Sequence, residues 1–88
     1  MVSGKAVVIN EKGLHIKPAG KMSSIALSYP CMAYLVIREY RVNAKSVLGI
    51  LSAQVKKGEE IEVVCDGEGE EDALRELLAA VEAGFDLA

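Results

Sequence analysis

The chain has a single histidine, His15, and the residues around it are those best suited to chemistry. It sits in Gly13-Leu14-His15-Ile16-Lys17-Pro18-Ala19-Gly20, where a glycine loosens a loop and a helix is about to begin. The first N–H groups of a helix lack internal partners and, with the helix dipole, form an anion site of the kind that holds phosphate. An imidazole there can attack a phosphoryl donor. The backbone amides of Ile16 and Lys17 and the Lys17 ammonium would then meet the charge of the product. Phosphohistidine has a high-energy N–P bond, so a group held this way is suited to being passed on. By spacing alone, a lone histidine before a helix is more often a cap or a surface residue, and both readings stand at this point.

These residues need elements to position them. Lys5 to Asn10 reads as a first strand, β-branched and apolar, ended by Glu11-Lys12-Gly13. A helix is expected from Ile16 to about Ser28, because Ala19, Met22, Ile25 and Ala26 recur every three to four residues. Pro18 falls in its first turn, where a missing N–H costs nothing, and Tyr29-Pro30 ends it. Cys31 to Ile37 and Tyr40 to Asn43 read as strands joined at Arg38-Glu39, a tight turn unusual in lacking Gly or Asn. Ser46 is placed to cap a short helix from Val47 to about Ala53. Lys57-Gly58 is a turn, and Glu60 to Cys65 is a last strand with Glu60, Glu62 and Val64 alternating against Ile61, Val63 and Cys65. A long helix from Glu70 to about Ala83 has acidic residues at its start and Gly84 as its stop. The order β-α-β-β-α-β-α fits one layered α+β domain over residues 1–88, its helices covering one face of a sheet.

Bulk properties narrow the function. Eighty-eight residues leave room for one core, and 51% hydrophobic with 26% charged residues describes a folded chain. A net charge of −3 argues against a nucleic-acid binder and lends nothing to docking on acidic membranes. The longest apolar run, Cys31 to Ile37, is far too short to span a bilayer, and no targeting segment is visible. A soluble, cytoplasmic protein is expected. Cys31 and Cys65 are distant in sequence, and one histidine leaves a zinc site short of ligands. They read as buried thiols, with no metal and no cofactor expected. No second acid or base stands beside His15 to support a self-standing enzyme.

The segment GLHIKPAG, followed about thirty residues on by NAKSVLGILS, resembles the HPr family, the histidine-containing phosphocarriers of the bacterial sugar phosphotransferase system. That family shows Gly-(Leu/Ile)-His-Ala-Arg-Pro-Ala and a later Lys-Ser-(Ile/Leu/Val)-(Met/Leu)-Gly. The resemblance spans the chain in length, element order and motif spacing. It implies an open-faced β-sandwich, a four-stranded antiparallel sheet with three helices on one face. It implies that His15 takes a phosphoryl group from enzyme I and gives it to enzyme IIA domains, with Lys17 beside the phosphate. Such a protein is a carrier, modified and regenerated, and not an enzyme. Ser46 matches a serine that an ATP-dependent HPr kinase/phosphorylase modifies in some relatives; a plain helix cap is the other reading. Val47, Leu48 and Leu51 correspond to a short helix that offers apolar surface to partners, with Leu48 and Leu51 expected to be partly exposed. The alternative is a regulatory module of the same fold, acting through Ser46 phosphorylation on a transcriptional regulator or a metabolic enzyme.

The sequence also departs from the family pattern. Lys17 replaces an arginine and loses its planar fork. Ile16 stands in place of a small alanine, where it crowds or shields the site. Gln54 lies where some relatives have glycine, read as a minor change at a helix end. Met32, Tyr34 and Val36 stand where relatives tend to be polar, so the strand is apolar on both faces. Two readings follow: a weak homodimer or other partner contact through the open sheet face, or a tolerated apolar patch.

Overall fold

In the computed structural model, which describes residues 1–87, the elements are β1 (Val2–Val7), α1 (Ile16–Leu27), β2 (Met32–Ile37), β3 (Tyr40–Asn43), α2 (Val47–Ser52), β4 (Glu60–Asp66) and α3 (Glu70–Glu82). A 3₁₀ turn at Gly84–Asp86 follows α3. The strands form one antiparallel sheet in the order β1-β4-β2-β3. The helices pack on one face and leave the other open. The sequence anticipates this architecture, including the bounds of α1, α2 and α3 to within a residue or so.

Strand β1 is the correction. It runs from Val2 to Val7, earlier than the expected Lys5 to Asn10, pairing Val2 with Cys65 and Val7 with Glu60. The shift follows from packing against α3. Gly4 leaves space for Leu78, whose Cδ1 would lie 2.6 Å from a Cβ added there. Val8 still bonds to the sheet's end, donating to the Glu59 carbonyl at 3.0 Å and accepting from Gly58 at 2.7 Å. Its apolar character therefore imitates a strand interior. Asn10 is buried instead, and its side-chain amide donates to the Gly84 carbonyl at 2.9 Å.

Between sheet and helices lies a core that includes Met22 of α1, Leu35 of β2, Ile50 of α2, Ile61 and Val63 of β4, and Leu77 and Val81 of α3, all essentially inaccessible. Cys31, just before β2, and Cys65 in β4 are buried free thiols in this core. Burial and the neighbouring Cys31 push the Cys65 thiol up to about 11, so it is not a ready nucleophile. No helix among the described residues is long and apolar enough to cross a membrane.

On the open face, Met32, Tyr34 and Val36 point outward together with Val64, as the missing alternation predicts. The strip is partly covered by its own neighbours. The Arg41 guanidinium lies 4.0 Å from the Tyr34 ring centroid, and the Tyr34 hydroxyl contacts the Met32 sulfur at 3.4 Å.

Candidate functional site

His15 is the N-cap residue of α1, with an extended backbone (φ −76°, ψ −168°), and its side chain makes no capping hydrogen bond. Its carbonyl accepts the Ala19 N–H at 2.9 Å. Pro18 carries no N–H. The first turn is thus left with the amides of Ile16 and Lys17, which have no backbone acceptor among the described residues. No acidic side chain occupies this turn. The imidazole is half-buried, and the Lys17 side chain is exposed and outside every salt bridge among the described residues. Ile16, next to His15 in the chain, is an apolar side chain 67% exposed. One helix terminus therefore gathers an uncommitted imidazole, two free amides and a cation, the requirements for receiving an anionic phosphoryl group.

The loop that presents His15 is tightly held. Gly13 donates to the Asn10 carbonyl at 2.9 Å, and Leu14, itself buried, donates to the Val55 carbonyl at 3.0 Å. Gly13 has φ +66° and runs so close to this strap that an added Cβ would lie 2.0 Å from the Val55 carbonyl oxygen. No larger residue fits that approach. Glu11 pairs with Lys57 at 2.6 Å, and the ammonium holds its carboxyl below the usual carboxylate range.

Ser46 is the N-cap of α2, and its hydroxyl accepts from the Gly49 N–H at 3.0 Å. Two bonds tie the preceding residue to α1: the buried Ser23 hydroxyl donates to the Lys45 carbonyl at 2.7 Å, and the Lys45 ammonium donates to the Tyr29 carbonyl at 2.8 Å, just beyond the helix. Helices α1 and α2 pack together, so the elements carrying His15 and Ser46 are neighbours. No hydrogen bond joins those two side chains among the described residues. Leu48 is 80% exposed, while Val47 and Leu51 are half-buried against the core. Leu48 and Leu51 thus sit as expected, and Val47 shares the inward side.

Sequence reading missed the supports behind the site. Asn10 carried no signal beyond ending an apolar run. Arg38 and Glu59, which bond to each other, lie 21 residues apart in sequence. Gln54, read as a minor change, has φ +50°, a left-handed conformation that favours glycine. That correction explains why glycine suits this position.

A family-wide sequence profile described as the PTS HPr component phosphorylation site matches residues 2–83. The phosphocarrier protein HPr of Neisseria meningitidis is 29% identical over 85 residues, covering 97% of this chain and 96% of that one. The HPr-like protein Crh of Bacillus subtilis is 34% identical over 82 residues, covering 93% and 96%. A crystal structure of HPr from Thermoanaerobacter tengcongensis superposes with a TM-score of 0.95 at 28% identity, covering 100% of this chain and 99% of that one. A second structure from that organism, described as an HPr dimer, gives 0.77 at 29% identity, covering 97% and 98%.

Proposed function

The chain belongs to the HPr family of phosphocarriers of the phosphotransferase system, and from that premise we propose that His15 accepts a phosphoryl group from phospho-enzyme I and passes it to enzyme IIA domains during carbohydrate uptake in the cytoplasm. A ring nitrogen of His15 attacks phosphorus through its lone pair, and the new N–P bond forms as the donor's bond to phosphorus breaks. The same exchange, run with an acceptor, returns the imidazole. The observation that carries this reading is the pair of unpartnered amides at Ile16 and Lys17, beside an imidazole that caps nothing. Lys17 supplies a point charge where an arginine would supply a fork, which keeps attraction and loosens orientation. Val47, Leu48 and Leu51 form the apolar side of the docking surface, with Leu48 its most prominent member.

Incubation with enzyme I and phosphoenolpyruvate, followed by intact mass and acid treatment, tests the reading. One acid-labile phosphate is expected on the native chain and none on His15→Ala. An unmodified native chain in the presence of a competent enzyme I contradicts it.

A regulatory role at Ser46 is the second reading, favoured by the identity to Crh and by the capping geometry. Phosphorylation by an HPr kinase/phosphorylase with ATP would place about −2 charges where the hydroxyl now caps α2. That charge would discourage enzyme I and give a transcriptional regulator something to recognise. Labelling of Ser46 by such a kinase, without transfer to His15, would favour this role over the carrier. A weak homodimer through the open sheet face is the remaining proposal, resting on Met32, 55% exposed, with Tyr34, Val36 and Val64. A strict monomer by light scattering at high concentration removes it.

A further inference from the structure

The turn between β2 and β3 places a long cation where the backbone favours glycine. Arg38 has φ +54°, in the left-handed region that L side chains rarely adopt. The guanidinium donates to the Glu59 carboxylate and to the carbonyl of Ala53, the C-cap residue of α2. The other Glu59 oxygen accepts the Lys56 N–H at 2.8 Å. Arg38 and Glu59 together therefore fasten both ends of the 53–59 segment. Within it is Val55, whose carbonyl accepts the Leu14 N–H next to His15 and lies where a Cβ at Gly13 would have to go. The segment bends through Gln54, a second non-glycine residue at positive φ, so its path is strained and needs holding.

We propose that Arg38 is a positioning residue for His15. It clasps Ala53 and Glu59, fixes the strap that carries the Val55 carbonyl, and so sets where Leu14, His15 and the free amides of α1 stand. The inference rests on the phosphoryl-acceptor role of His15, but its first readout does not. Positioning matters because transfer requires in-line approach, and small displacements of a reacting group slow it sharply.

The decisive variant is Arg38→Gly, which removes the side chain while giving the turn the residue its φ favours, so turn strain cannot explain a loss. Arg38→Lys keeps the charge but not the two-acceptor fork. Amide hydrogen exchange on the full chain reads the strap without any partner enzyme. In Arg38→Gly the Leu14 amide should exchange about tenfold faster, with Leu35 and Val63 in the sheet unchanged. With enzyme I and phosphoenolpyruvate, the maximal rate of His15 phosphorylation should fall about three- to tenfold at unchanged KM for this chain, and Arg38→Lys should lie between. Native-like exchange at Leu14, equal acceleration at all amides, an unchanged maximal rate, or a change in KM alone would each overturn the proposal. If the native chain takes no phosphate at all, the carrier reading fails, and Leu14 exchange alone then decides whether the clasp holds the loop.

Discussion

Helices α1 and α3 both begin with unsatisfied amides, yet the chain treats the two ends in opposite ways. The start of α3 is compensated in charge from within, although no side chain caps it. Glu70, Glu71 and Asp72 crowd its first turn, the Glu70 carboxylate accepts the Gly67 N–H at 2.9 Å, and the Met1 ammonium pairs with Glu70 at 3.2 Å. The start of α1 is left without negative charge: no acidic residue stands in its first turn, and Pro18 takes the place of a third donor. A helix terminus attracts anions by its amides and dipole wherever it occurs. What separates a candidate site from a structural end is that the chain has declined to neutralise it. Helix α2 lies between the two, with no acidic residue in its first turn but capped by the Ser46 hydroxyl.

The comparison breaks most directly if α1 is made to resemble α3. Lys17→Glu puts a carboxylate in the first turn of α1 and removes the cation. Phosphorylation of His15 by enzyme I should slow by about tenfold or more, ~1.4 kcal/mol in the barrier, with thermal stability nearly unchanged. A native rate would mean that the missing negative charge at this terminus has no bearing on transfer.

Ser46→Ala opens the end of α2 without adding charge. Loss of the bond to Gly49 should cost about 1 kcal/mol. In a chain of this size that lowers Tm by about 4–8 °C. Calorimetry reads it, and the phosphorylation rate should hold.

Gln54→Gly acts outside either helix start and reads the backbone strain of the 53–59 segment. Relief of the positive φ, less the added freedom of the unfolded chain, should stabilise by ~0.5 kcal/mol, visible in a urea melt. The smallest effect is at α3. The Gly67 amide and the Met1 ammonium hold the Glu70 carboxyl below its ordinary value of 4.5. Its contribution is therefore fully present above pH 4.5 and is lost as pH falls through the lowered pKa. Glu70→Gln should reduce Tm slightly at pH 6, and the difference should shrink as acid carries the pH down through the lowered pKa. A Tm difference that persists in acid would point to packing rather than charge.

Much of this was legible in the sequence because the signals are local. Pro18, Tyr29-Pro30, Ser46 and Gly84 mark helix ends within one to three residues of where they fall. The histidine segment carries its own context, two glycines and a proline within eight residues, with the helical period running on from Ala19. The start of β1 was not legible, since Val8 and Ile9 are as apolar as a strand interior and only pairing with β4 shows where the ladder ends. Nor were the supports of the His15 loop. The Asn10 bond to Gly84 spans 74 residues and the Arg38 bond to Glu59 spans 21, and neither leaves a periodic trace. Even the apolar strip on the open face read more starkly in sequence than in space, because Arg41 stacks on Tyr34 from the adjacent strand.

The central claim is that the uncompensated start of α1 receives the phosphoryl group carried by His15. Amide spectra of the uniformly labelled chain, recorded before and after phosphorylation by enzyme I and phosphoenolpyruvate, test it at the atoms concerned. The account predicts that the Ile16 and Lys17 amide protons move downfield as hydrogen bonds to phosphate form, while the Glu71 and Asp72 amides at the start of α3 stay in place. Phosphate gained with no movement at Ile16 and Lys17, or gained on a chain lacking His15, would contradict it.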